Sequence, residues 1–319
     1  MTALSLILRQ ALLLSLVAVA VFALMKLSPV DPVDAYLGPA IAHVSPEQKA
    51  QIAASWGIDR PAHEQFFAWA GHLLRGDPGH STTYNAPVAE VLADRLGPSL
   101  ALTGGAWALS GILGFLLALW AVAAGGGIDR AIRLYCYLLA ATPTFWLAML
   151  LMTVFSVSLG WTPICCAGPV GLPPDQVTLL QKLHHLALPL TALTLFGVAQ
   201  IALHTRARLT EVMQSDYVLM ARAQGARQWD IVLRHGARNA ALPALTALLA
   251  SVGEMIGGSL LAEQVFAWPG LGRATVEAGL KGDVPLLLAI ALLTALVVSC
   301  GNMIADRLYA RLDPRMAGA

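Results

Sequence analysis

The sequence predicts an all-α membrane protein with six transmembrane helices, and three observations carry that expectation. The 319 residues are 57% hydrophobic and only 12% charged, with a mean hydropathy of +0.67, whereas a soluble domain carries about a quarter charged residues. Apolar runs long enough to cross about 30 Å of hydrocarbon recur along the chain. The arginines concentrate in alternate intervals between those runs, as the positive-inside rule requires.

Arg9 precedes residues 11–25, which with residues 4–8 make the first span. A charged start before a short apolar core also resembles a signal peptide. No small-x-small cleavage site follows before Lys26, so residues 1–28 are expected to be a retained first helix. Residues 29–99 form a long outer loop region rich in proline. Within it, Ser45-Pro46-Glu47-Gln48 reads as an N-cap with proline in the first turn, which predicts a short helix ending near Ser55.

Residues 100–315 form the core. Its first span, residues 100–124, ends at Gly125-Gly126-Gly127, and Arg130 with Arg133 marks an inner turn. The next, 134–159, carries Pro143, which removes a backbone hydrogen bond and predicts a kink. Residues 161–182 are an outer loop. The fourth span, 184–203, contains Pro189 and ends in His204, Arg206 and Arg208, opening an inner loop at 206–241. The fifth, 242–261, is entered through Pro243, a residue suited to a first helical turn. Residues 263–283 lie outside, and 284–304 make the sixth span.

The charges orient the chain. With the N-terminus inside, the inner side holds Arg9, Arg130, Arg133, Arg206, Arg208, Arg222, Arg227, Arg234, Arg238, Arg307, Arg311 and Arg315. The two short outer loops hold only Lys182, Arg273 and Lys281. The long first loop is exempt, because long segments translocate largely regardless of charge.

Residues 216–243 are the one long basic interval. A helical piece over 217–224 is closed by Gly225, which can take the positive φ that ends a helix. On a second helix over 228–239, at about 100° per residue, Arg227, Arg234 and Arg238 share one sector while Trp229, Val232, Leu233 and Gly236 fall opposite. Ala221, Ala223, Gly225 and Ala226 are small enough to let another surface approach the backbone. The segment reads as a helix–bend–helix knob that docks a partner protein, or else as a loop whose arginines touch membrane lipid headgroups.

The knob resembles the cytoplasmic loop of ABC-importer permeases of the dipeptide/oligopeptide/nickel group, which read like YVxxARAxG and then RHxxRNAxLP. Here these are Tyr217-Val218, Ala221-Arg222-Ala223-Gln224-Gly225, Arg234-His235, Arg238-Asn239-Ala240 and Leu242-Pro243. The wider superfamily often has a Glu six residues before the Gly; Leu219 stands there, as in the peptide/nickel branch. Phe266-Ala267-Trp268-Pro269-Gly270-Leu271-Gly272-Arg273 resembles that branch's FxWPGxGR element. Residues 56–61, 76–81, Pro87-Val88, Pro143-Thr144-Phe145-Trp146 and Leu312-Asp313-Pro314-Arg315 resemble further family patterns.

That resemblance implies a type I ABC-importer permease fold with a long first periplasmic loop, placed in the bacterial inner membrane with both termini cytoplasmic. It implies ATPase docking through Tyr217, Ala221, Arg222, Ala223, Gln224, Gly225, Ala226 and Arg227. The implied partners are a second homologous permease, two cytoplasmic ATPase subunits and an external substrate-binding protein; no nucleic acid is expected. The expected cargo is nickel, a metal–metallophore chelate or a short peptide. A di- or oligopeptide importer is the same-class alternative, and an ATP-independent channel or membrane scaffold is the reading from a different class.

No catalytic residue is assigned. No GxxxxGK[ST] phosphate cradle occurs, and Gly270 to Thr275 lacks its lysine. ATP and magnesium are therefore expected on the ATPase subunits, with no cofactor on this chain. His63-Glu64 lacks the second histidine of a zinc-protease helix, and there is no GxSxG turn. Glu254 stands inside an apolar run, where a charge costs at least about 2.5 kcal/mol on insertion scales. With Gly257 and Gly258 it is expected either to line the substrate path, favouring cationic cargo, or to bond a neighbouring helix. Glu254-Met255-Ile256-Gly257-Gly258 ahead of the Phe266-Ala267-Trp268 element resembles the nickel and metal-chelate members most. Cys136, Cys165, Cys166 and Cys300 fit no zinc spacing and no disulfide framework; Cys165-Cys166 reads as an ordinary outer-loop pair or a soft-metal contact.

Overall fold

A computed structural model describes residues 3–173 and 175–312. Helix α1 (Ala3–Leu27) is followed by α2 (Pro32–Leu37), a 3-10 turn over Gly38–His43, α3 (Pro46–Ser55) and α4 (Ala62–Leu74). The start of α3 is set by a capping box in which Ser45 and Gln48 satisfy each other's backbone amides. A two-residue antiparallel hairpin, β1 (His80–Ser81) with β2 (Ala86–Pro87), then leads into α5 (Val88–Ala124). This helix begins well before residue 100 and carries Pro98 inside it. Gly125, at φ 62°, ends it and opens α6 (Gly126–Ala141).

At Pro143 the expected kink is a full break. Thr142 is extended, since the residue before a proline avoids the helical region. Helix α7 (Thr144–Leu151) and its π-helical continuation Met152–Ser158 leave α6 at 104°. Helix α8 (Leu179–Val212) absorbs Pro189 and runs on through Arg206 and Arg208. After α9 (Asp216–Ala223) come α10 (Gln228–Ile231), a π turn over Val232–Gly236 and α11 (Ala237–Ala250). Pro243 thus lies within a helix instead of entering one. At Ser251 the chain bends by 50° into α12 (Val252–Val265), where the Ser251 hydroxyl donates to the Leu248 carbonyl at 2.8 Å and competes with the helical bonds. Helices α13 (Leu271–Lys281) and α14 (Val284–Leu312) complete the described chain. Among the described residues, four helices are long and apolar enough to cross a membrane, and up to six spans result if each bent pair counts as one. Of the expected tail pattern, Asp313, Pro314 and Arg315 lie outside the described residues, as does the Arg315 charge.

One compact unit comprises the described part of Met1–Gly97 with Gly270–Ser299. Its core gathers Val88, Val91, Ala274, Ala278, Leu286, Ala289 and Ile290. Asp283, almost fully buried, accepts from the Ser81 hydroxyl at 2.6 Å, from the Thr83 amide at 2.9 Å and from the Leu286 amide at 3.2 Å. Three donors make that buried carboxylate tolerable and tie the hairpin to the start of α14. Lys26 at the end of α1 donates to Gln65 on α4 at 2.6 Å, beside the Phe22–Phe66 ring contact.

The other unit comprises Pro98–Pro269 and the described part of Cys300–Ala319. Helix α8 is its spine, burying Leu193, Val198, Ala199, Ala202 and Leu209 against its neighbours. A Cβ added at Gly114 of α5 would fall 2.9 Å from the Ile201 side chain, so glycine permits this helix approach. Cys165 and Cys166, expected unpaired, are joined to each other by a disulfide. Sequence spacing gave no hint of it, because adjacent cysteines belong to no recognised framework.

Candidate docking knob and pathway face

The knob is built as one buried side and one bare side. Val218, Ile231, Val232 and Ala240 pack into a cluster with Ala118, Leu119, Leu209 and Met213 from α5 and α8. Gln228 adds a bond from its side-chain amide to the Val122 carbonyl at 3.2 Å. Residues 222–230 are all exposed, so Arg222, Ala223, Gln224, Gly225, Ala226 and Arg227 form an uninterrupted open bend. Tyr217 is exposed as well, and Ala221 is partly buried under the bend.

Gly225 has φ 84°. Its amide donates to the Arg222 carbonyl at 2.9 Å, and the Ala226 amide reaches back to the Ala221 carbonyl at 3.1 Å. These two bonds define a Schellman ending, which satisfies the last carbonyls of α9. Arg234 and Arg238 are exposed with Arg227, as the helical arithmetic expects. Trp229 and Leu233, expected opposite the arginines, are exposed too. Leu233 lies in the π turn, which holds more residues per turn than an α-helix and departs from the 100° register, whereas Trp229 precedes it in α10. The open surface therefore combines arginines with Tyr217, Leu219, Met220, Trp229 and Leu233.

An ion-pair network that patterning missed joins α6 to α8. Arg206 of α8 grips Asp129 of α6 with two bonds, Nε to Oδ1 at 2.5 Å and Nη2 to Oδ2 at 2.7 Å. Arg133 adds a third contact at 3.3 Å. The signal available was an acid in the first turn of α6 opposite a run of arginines, but no spacing rule pairs residues so far apart.

Glu254 is exposed on α12, at the edge of a shallow recess lined by Trp107, Ser110, Gln200, Leu248 and Met255. Gly257 lies on the same exposed side, where an added Cβ would meet nothing. Gly258 faces inward, in ordinary contact distance of Leu193 and Phe196. The acid that is fully buried is Glu263, which accepts from the Ser99 hydroxyl at 2.6 Å. The sequence alone puts it in an outer loop, because the end of an apolar run does not reveal what covers it.

In the first unit, Glu277 of α13 accepts from the Tyr84 hydroxyl at 2.5 Å and from Arg273 Nε at 2.7 Å. Burial pushes its carboxyl up, but those two bonds and the Arg273 charge outweigh burial and hold it below the usual range. Burial and the same acid push the Tyr84 phenol upward. Arg95 lies over the Tyr84 ring, 4.6 Å from its centroid.

Among the described residues, no three His, Cys, Asp or Glu side chains converge on one point suited to a metal. The His184 and His185 rings are 6.3 Å apart and each meets a backbone carbonyl, of Trp161 and of Cys165 respectively.

Apolar helices of spanning length and a basic knob, packed on one side and bare on the other, mark the chain as a multi-pass membrane protein. Residues 110–318 match the family described as binding-protein-dependent transport system inner membrane component. The chain belongs to this family and is an ABC-importer permease of the bacterial inner membrane. It is 34% identical to the oligopeptide transport system permease protein AppB of Bacillus subtilis over 301 residues, covering 92% of each chain. It is 32% identical to the di/tripeptide transport system permease protein DppB of Pseudomonas aeruginosa over 313 residues, again covering 92% of each. The MetNI methionine ABC transporter, in an inward-facing conformation, shares the fold with a TM-score of 0.58 at 16% identity, over 70% of this chain and 97% of that one. An amino acid ABC transporter does so with a TM-score of 0.52 at 16% identity, over 70% and 94%. Family membership sets aside the ATP-independent channel and the scaffold.

Proposed function

We propose that this chain is the membrane-spanning half of a short-peptide importer. A second, homologous permease completes the path, two cytoplasmic ATPase subunits seat on the knob, and an external binding protein delivers cargo. The observation that carries this reading is the bare bend at 222–230 standing on a buried base. A load applied to that bend reaches α5 and α8 through Val218, Ile231 and Val232, which have no freedom to slide within a packed core. ATP is held and hydrolysed, with magnesium, by the partner subunits. Nucleotide shifts the bundle between inward and outward access only to the extent that it binds one state better.

Peptide is the favoured cargo because the relatives above carry peptide in their names. Nickel or a metal–metallophore chelate is the second reading, favoured by the likeness of residues 254–258 to the metal-chelate members and by Glu254 itself: an exposed carboxylate on an apolar helix attracts cationic cargo. The excess of arginine in the intervals on the knob's side supports a cytoplasmic knob and cytoplasmic termini.

The test is the reconstituted complex. Peptide and its binding protein should raise ATP hydrolysis several-fold, and Arg222→Ala should abolish that increase while the permease still inserts. Stimulation that survives the substitution would contradict the docking role; stimulation by nickel and not by peptide would decide for the second reading.

A further inference from the structure

The loop between α7 and α8 carries the Cys165–Cys166 bond, and its surroundings give that bond something to hold. The Cys166 amide donates to the Phe266 carbonyl at 2.9 Å. Nδ1 of His185 lies 3.0 Å from the Cys165 carbonyl and 3.2 Å from that of Cys166. Carbonyls only accept, so this nitrogen carries the proton and donates to both. Phe266 is buried with Ala148, Leu188 and Ala192, so its backbone is a fixed anchor. Cys166 sits at φ 74°, in the left-handed region that favours glycine. Nearby, a Cβ at Gly168 would fall 2.9 Å from Val177, so the loop closes tightly on itself. Both cysteines are only partly buried.

We propose that Cys165–Cys166 is a reversible redox site that fastens this loop to the Phe266–Trp268 turn. Closed, the bond ties the two residues into a small ring and keeps Cys166 in its left-handed conformation, with its amide aimed at Phe266. Opened, that constraint is gone, the segment returns to ordinary backbone conformations and the loop lifts from the turn.

Opening is thiol–disulfide exchange with a dithiol. One thiolate of the dithiol attacks a sulfur of the pair, the S–S bond breaks, and the other cysteine leaves as a thiolate and takes up a proton. The second thiol of the reagent resolves the mixed disulfide, so two electrons and two protons pass to the cysteine pair and the dithiol becomes a disulfide. Closing is the reverse, with a disulfide as oxidant. The site rests on the outward placement proposed above, since such bonds persist on the oxidising side of the membrane.

The reconstituted complex tests it in two arms. Alkylation after denaturation should add two groups before reduction, on the unbonded Cys136 and Cys300, and four after dithiothreitol. Amide exchange at residues 161–177 should quicken about tenfold on reduction, the mark of a local opening. Peptide-stimulated ATP hydrolysis should fall with it. The double variant Cys165→Ser/Cys166→Ser should behave like the reduced protein and ignore dithiothreitol. Four groups added without reduction, or exchange that reduction leaves unchanged, would overturn the proposal. Alkylation and exchange need no ATPase coupling, so they decide the redox site even if the importer reading fails.

Discussion

Gly225 shows how much a single residue carries. At φ 84° it ends α9, and an added Cβ would touch no other group, so the cost of a side chain there is confined to the backbone. For a β-branched residue that cost is about 1–2 kcal/mol. Gly225→Val should leave membrane insertion intact yet remove peptide-stimulated ATP hydrolysis, whereas Gly225→Asn, which tolerates the left-handed region, should keep most of it. ATPase assays on both variants in the assembled complex check this; equal activity would separate the bend from coupling. Glu254 makes the complementary case. It is exposed, so Glu254→Gln should change stability by no more than about 0.5 kcal/mol. If the residue faces the path, uptake of cationic peptide or metal should fall while uptake of neutral peptide holds. Gly225 was legible because its role depends on local backbone chemistry. The burial of Glu263 and the exposure of Glu254 were not, since both depend on which helix lies alongside.

At the level of elements, α6 and α8 are locked by Asp129 and Arg206. Removing one partner of this partly buried, doubly bonded pair leaves the other less well compensated. Asp129→Asn should therefore cost about 2 kcal/mol or more, seen as a lower unfolding temperature of the detergent-solubilised chain, with double replacement costing less than the sum of the single ones. In the hairpin unit, Glu277 has a carboxyl held below its unfolded value. Its contribution is complete above the ordinary glutamate range of about 4.3 and is lost as pH falls through the lower folded value. Amide exchange across β1, β2 and α13 should thus rise on acidification below about pH 4 in the wild type. In Glu277→Gln it should be raised already at neutral pH and respond little to acid.

Element boundaries were partly legible. Ser45 and Gln48 announce the start of α3 through side chains that meet locally. Pro143 announced a bend but not its size, because the 104° angle depends on α7 packing elsewhere. The break at Ser251 has only a serine to mark it, and serine occurs in unbroken helices too.

For the molecule as a whole, composition and charge order carried most of the reading. Six hydrophobic crossings were visible because lipid requires long apolar helices with every backbone bond made internally. The face of each helix that meets protein instead of lipid was not visible, because both environments accept the same side chains. Helix α5 leaves Leu109, Ile112, Leu113, Leu116 and Trp120 exposed, and such residues are served equally by acyl chains and by a second permease. The knob stands out from this background by polarity alone, and polarity does not say what docks there.

A single cysteine placed at Ala226 tests the ATPase-docking assignment most directly. In intact cells the account predicts labelling only by reagents that reach the cytoplasm, and a thiol cross-link to the ATPase subunit that ATP modulates. Labelling from outside the cell, or an intact complex in which residue 226 never contacts the ATPase, would contradict it.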